Sequence, residues 1–220
     1  MKEDEIELTH TLHDIKQMME RSSRFISLSG LSGIAAGCCA LIGAYFAYGI
    51  INRAPYDSGI QVAKTMVRDQ SLQDYMGNSL FQIASITFIM ALLLAFIFTW
   101  LRSRKNNTPL WGTTSKRLLW NVSLPLLVGG IFLMKLIDNG VYGYIAPGSL
   151  LFYGLALLNA SKYTLTEIKY LGYVQIILGL VSLYSLGNGL YFWALGFGVL
   201  HIIYGTVMWW KYERNSVQKD

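Results

Sequence analysis

Residues Tyr170–Trp210 read YLGYVQIILGLVSLYSLGNGLYFWALGFGVLHIIYGTVMWW, 41 positions without one Asp, Glu, Lys or Arg. The hydrocarbon core of a bilayer is about 30 Å thick and takes about 20 helical residues to cross. The run is therefore two crossings, divided at the turn-forming cluster SLGNG (Ser185 to Gly189). Working outward, the same absence of charge recurs from Phe25 to Asn52, Tyr75 to Leu101, Leu118 to Met134 and Asn139 to Ser161. Charged residues make up only 14% of the 220, against roughly 25% in soluble domains.

The expected fold is all-α: a polytopic membrane bundle of six transmembrane helices, near 26–51, 79–101, 118–136, 141–160, 168–186 and 190–210. Residues 1–24 are expected to form an amphipathic cytoplasmic helix ahead of it, and 213–220 a short cytoplasmic tail. Fourteen of the 18 basic residues fall on the side of the two tails and the second and fourth loops, and four (Arg53, Lys64, Arg68, Lys135) on the other. The positive-inside rule then places both termini in the cytoplasm. Topology accounts for the net charge of +5, so no nucleic-acid partner is expected. The charged start of the chain has no apolar core or cleavage site, and no cleaved signal peptide is expected.

In the amino-terminal stretch, Ile6, Leu12, Ile15, Met18 or Met19, and Phe25 recur at helical intervals among polar residues. Glu3, Asp4, Glu5, Glu7, Asp14 and Glu20 would be repelled by anionic lipid. This helix is expected to dock on a cytoplasmic protein partner; the bilayer itself is the other partner, and the sequence leaves oligomeric state open.

Ser29, Gly33, Gly37, Ala40, Ala44 and Ala47 give the first span a small face, which permits close helix approach and is read as packing inside the bundle. The adjacent Cys38 and Cys39 are read as apolar packing residues. Pro125 should kink the third span, with Asn121 and Ser123 placed to help satisfy the carbonyl it frees. Residues 130–163 align without gaps on 179–212, pairing Asn139 with Asn188, Gly140 with Gly189, and Lys162-Tyr163 with Lys211-Tyr212. The pattern suggests tandem helical hairpins, each turning at Asn-Gly. Thr164 and Glu167 have the spacing of a capping box opening the fifth span. Lys135 and Asp138 have that of a local, solvated ion pair.

The candidate buried polar site is His201, Asn159, Gln175, Tyr204 and Asn121. Ala194, Gly198, His201 and Gly205 fall on one helical stripe whose small members turn the imidazole into the bundle. Asn159, Ser149 and Tyr204 are its expected partners. A neutral imidazole needs only one donor and one acceptor there, so His201 is read as structural ahead of functional. The spans hold no second histidine for a haem, no ligand set for a catalytic zinc and no interior carboxylate. No phosphate-cradling loop occurs, and neither cofactor nor metal is expected.

The blocks MERSSRFISLSGLSGI (Met19–Ile34), FYGLALLNASKYTLTEIKYLGY (Phe152–Tyr173) and FWALGFGVLHIIYG (Phe192–Gly205) resemble those of a group of six-pass bacterial inner-membrane proteins. The resemblance runs along most of the chain. It implies six passes in a bacterial cytoplasmic membrane and transfers no activity or residue role. Three classes of function stay open. The preferred one is a non-enzymatic, membrane-embedded binding or regulatory component. The others are a small transporter or channel with a cavity between the hairpins, and an enzyme acting on a lipid-soluble substrate through His201.

Reporter fusions at Lys105, Lys162 and Asp220 should report cytoplasm, and a fusion near Asp69 the opposite side. A cytoplasmic Asp69 would overturn the assigned topology.

Overall fold

The computed structural model describes residues 29–53, 78–105 and 111–214, and no strand occurs among them. Its helices are α1 (Gly30–Arg53), α2 (Ser79–Lys105), α3 (Thr113–Asp138), α4 (Ile145–Ala160), α5 (Glu167–Leu183), α6 (Gly189–Trp193) and α7 (Leu200–Tyr212). A π-helical stretch, Ala194–Val199, joins α6 to α7, so that Leu186–Tyr212 is one rod. Five segments are long and apolar enough to cross a bilayer: Gly30–Asn52, Ser79–Lys105, Thr113–Asp138, Tyr142–Ala160 and Leu186–Tyr212. The chain is an all-helical, multi-pass membrane protein. The remaining helix, α5, falls where 168–186 was expected and has 17 residues. The expected amino helix at 1–24 lies outside the described residues.

Local chemistry sets several helix ends. Asn78 Oδ1 accepts from the N–H groups of Leu80 and Phe81 at 3.0 and 3.3 Å, capping α2. Arg102, Arg104 and Lys105 occupy its last turn, where the helix dipole favours cations. After α3, Gly140 adopts φ 71°, a conformation that L side chains resist. Its N–H bonds the Ile137 carbonyl at 2.9 Å and the Val141 N–H bonds Leu136 at 2.8 Å. This is the Schellman pattern that lets a chain reverse at glycine.

The second Asn-Gly is built differently. Helix α5 stops at Leu183, a 3-10 turn covers Leu186–Asn188, and Gly189 already has helical φ −51° as α6 begins. The aligned residues therefore turn the chain by two mechanisms. At the expected capping box, Thr166 directly precedes α5 and the Glu167 carboxylate engages Lys211 and Tyr212. Helix α3 continues through Pro125. Asn121 Nδ2 donates to the Arg117 carbonyl at 2.8 Å and not to its own carbonyl, the one Pro125 deprives of a donor.

Helix α4 packs against α3, α5 and α6, while α1 packs against α2, the π stretch and α7. In lipid there is no hydrophobic force between helices, so association depends on close van der Waals packing and polar bonds. Glycine supplies the closeness. A Cβ on Gly205 of α7 would stand 2.5 Å from the Gly30 carbonyl oxygen and 2.6 Å from the Ile34 nitrogen of α1. One on Gly37 would stand 2.7 Å from the Gly198 carbonyl oxygen. The small face of α1 is thus used inside the bundle, with Ala40 and Ala44 buried. Gly154 and Gly172 bring α4 and α5 together in the same way. Helices α2 and α3 are peripheral and present Phe88, Leu92, Phe96, Leu124, Leu127 and Ile131 outward, a surface suited to acyl chains.

Gly205→Ala should lower thermal stability in detergent by about 1–3 kcal/mol, since the added methyl meets backbone that cannot step aside. Gly130 has nothing within 4 Å of its Cβ position, and Gly130→Ala should be neutral or raise stability by up to about 1 kcal/mol. Equal effects would contradict the packing.

Candidate functional site

Where α4, α5 and the last rod meet, polar atoms converge on one backbone carbonyl. In the π stretch the Leu200 N–H reaches back to the Leu195 carbonyl, five residues away. Returning to four-residue bonding leaves a carbonyl over. The Gly196 carbonyl here accepts from two side chains: Gln175 Nε2 at 2.8 Å and His201 Nδ1 at 3.0 Å. Glycine is required at the junction. A Cβ on residue 196 would lie 2.4 Å from Leu150 Cδ2 and 2.7 Å from Gln175 Oε1.

That carbonyl also settles the state of the histidine. A carbonyl only accepts, so Nδ1 carries the proton. Nε2 is then the acceptor, and the Tyr153 hydroxyl donates to it at 2.7 Å. Phe197 stacks on the imidazole with ring centroids 6.0 Å apart, and Tyr153 lies 5.0 Å from Phe197. Both ring nitrogens of His201 are occupied, and the side chain is buried. It has the arrangement of a neutral crosslink between α7 and α4.

The expected site residues separate. His201 and Gln175 meet on Gly196. Tyr204 sits one turn further along α7, its hydroxyl buried without a partner among the described residues. Asn159 is half-buried in the last turn of α4 and makes no bond to His201, and Asn121 lies on α3, bonded to its own helix. Ser149 donates to the Ala146 carbonyl at 2.8 Å. The partner of His201 is Tyr153, which was not among those expected. Of the expected stripe, Gly198 and Gly205 lie against α1, while the His201 side chain reaches across to α4.

Two ionic clasps close the basic end of the bundle, where α1 and α5 begin and α2 and α7 finish. Glu213 Oε1 accepts from Arg102 Nη1 at 2.6 Å, from the Gly30 N–H at 2.5 Å and from Ser29 Oγ at 3.2 Å. A carboxylate at a helix N-terminus is favoured by both free N–H groups and the dipole. This joins α1, α2 and α7. The second clasp ties Lys211 and Tyr212 to Glu167 at the start of α5; the Tyr212 hydroxyl stands 2.7 Å from the carboxylate. Glu213 was assigned to a tail, and nothing in its sequence neighbourhood marks it as a cap for a helix 183 residues earlier.

Lys135 and Asp138 pair at 3.6 Å at the opposite end, largely in solvent, as their spacing predicted. A cavity of about 550 Å³ opens between α3, α4 and α5; none of its lining residues belongs to the His201 cluster. Among the described residues no three His, Cys, Asp or Glu side chains gather as a metal site. Comparison with protein-family models, with curated proteins and with solved structures finds no match for this chain.

The Tyr153–His201 bond should couple in a double-mutant cycle. Tyr153→Phe and His201→Leu, singly and together, should give a coupling near 0.6 kcal/mol and not above about 2, the range for helix-to-helix bonds in membranes. Additive effects on thermal unfolding would show the bond to be absent.

Proposed function

We propose that the chain is a non-enzymatic component of a bacterial cytoplasmic membrane, acting by binding or regulation. In this reading α5 is a sixth span. A helix of 17 residues sits at the short end of what crosses a bilayer, and its Gly154–Gly172 approach to α4 places it within the bundle. Both termini then face the cytoplasm, and the amphipathic stretch at 1–24 is available to a protein partner. The group of inner-membrane proteins that the chain resembles would share this plan.

One observation carries the choice against an enzyme. An acid or base must present a nitrogen to substrate at hydrogen-bond distance. Here Nδ1 is committed to Gly196 and Nε2 to Tyr153, both within the protein. The same commitment disfavours a transport path through His201, because each step would have to break a buried bond.

Two measurements on the full chain test the proposal. His201→Gln should leave cellular function near native, with at most a small loss of stability. Changing Leu12, Ile15 and Met19 together to Ser should keep the protein in the membrane and abolish the cross-links that the native amino segment makes to a partner. Loss of function in His201→Gln at native stability would favour the enzyme. If the native segment makes no cross-link and removal of residues 1–20 changes no phenotype, the regulatory reading fails.

A further inference from the structure

Four buried side-chain oxygens have no partner among the described residues: Glu167 Oε2, Gln175 Oε1, Ser182 Oγ and the Tyr204 hydroxyl. An orphaned polar group is costly wherever bulk water is excluded, and most costly in a membrane. Two of these oxygens share one neighbourhood. The ionisable groups close enough to act on the Tyr204 hydroxyl are Glu167 on α5, Tyr153 on α4 and Tyr212 on its own helix. Tyr204 lies between His201 and Tyr212 along α7, so its hydroxyl stands between the ionic clasp on Glu167 and the crosslink through Tyr153. It bonds none of them directly. Polar groups near enough to interact and too far apart to bond are where a bridging water belongs.

The unmet bonding capacity sets the chemistry of the occupant. Glu167 engages Lys211 and Tyr212 through Oε1 and keeps Oε2 as a bare acceptor. Tyr153 already donates its proton to His201 Nε2, so its oxygen can only accept. Tyr204 has both a proton and lone pairs to offer. The missing partner must therefore donate twice, to Glu167 and Tyr153, and accept once, from Tyr204. Water does both, and about three bonds is the usual number for a buried water. A metal ion would leave the Tyr204 proton without an acceptor, and an anion would meet Glu167 as a like charge.

We propose that Glu167 Oε2 and the hydroxyls of Tyr153 and Tyr204 form a binding site for one internal water molecule. The water joins the clasp to the crosslink. Lys211 and Tyr212 bond Glu167, the water carries the chain to Tyr153, and Tyr153 bonds His201. His201 then bonds the Gly196 carbonyl, which Gln175 also reaches. Helices α4, α5 and α7 are held by one network instead of two. The line ends at a carbonyl, which has no proton to pass on, so it braces the bundle and opens no path across it.

Tyr204→Phe in the full chain tests the site by the sign of its effect. With the water in place, the substitution removes one of its three partners. The melting temperature in detergent should then fall by roughly 2–4 °C, the shift for one lost hydrogen bond in a chain of this size. Deleting a hydroxyl that has no partner would instead raise it, and a raised or unchanged melting temperature overturns the site. Water-edited solid-state NMR of the native chain in bilayers needs no variant to fold. Magnetisation should pass from a slowly exchanging water to the labelled rings of both Tyr153 and Tyr204. Absence of transfer to either ring overturns the site. In Tyr204→Phe the transfer to Tyr153 should be lost, and its undiminished survival would remove Tyr204 from the site and overturn the proposal.

Discussion

A helix bundle in lipid must hold itself together without the hydrophobic effect, and in this chain that constraint is met by backbone proximity. Glycine on facing helices brings main chains to within the distance that one methyl group would forbid: Gly30, Gly33 and Gly37 against α7 and the π stretch, Gly154 against Gly172. Dispersion forces fall off steeply with separation, so contact at this range is what makes association favourable. The polar contacts come second and depend on it. His201 reaches Tyr153, and Gln175 reaches Gly196, because the helices that carry them are already close.

The π stretch is the place where the two requirements meet. A regular helix would satisfy its own carbonyls and offer none to a neighbour. Widening the turn over Ala194–Val199 leaves the Gly196 carbonyl to side chains, and two of them take it. The carbonyl then dictates the tautomer of His201, and the tautomer dictates that Tyr153 donates. A histidine in a span, by default a functional group, becomes in this setting a joint between α4 and α7. At the basic end the sequence Lys211-Tyr212-Glu213 closes the same bundle by charge, reaching α5 with the first two residues and α1 and α2 with the third.

Much of this is legible in the amino-acid sequence. Charge-free runs longer than a bilayer crossing identify spans because burying an ionised side chain in hydrocarbon is costly, and Ser79–Lys105 and Tyr142–Ala160 start within a residue of where they were expected. The small face of α1 was legible for the same physical reason that it packs. What escaped was set by rotation and by distance in the chain. Tyr153 sits in an apolar run where a tyrosine looks like filler, and only the rotation of α4 aims its hydroxyl at α7. Gly196 and Gly198 fit a regular helix as well as a π turn, so the spacing carried no sign of the extra residue per turn. Glu213 caps a helix at the far end of the sequence. The two Asn-Gly turns look alike as letters and differ because α5 ends early, at Leu183, whereas α3 runs up to its asparagine.

The central claim, that His201 is a neutral crosslink whose two nitrogens are spoken for inside the protein, is open to a direct spectroscopic reading. Solid-state NMR of the full chain in lipid bilayers, with the His201 imidazole labelled at both nitrogens, reports which nitrogen carries the proton. The structure requires a protonated Nδ1 and an unprotonated Nε2, with a through-space contact from Nε2 to the Tyr153 hydroxyl proton. An Nε2–H tautomer, an imidazolium, or rapid exchange of the ring proton with bulk water would contradict the account.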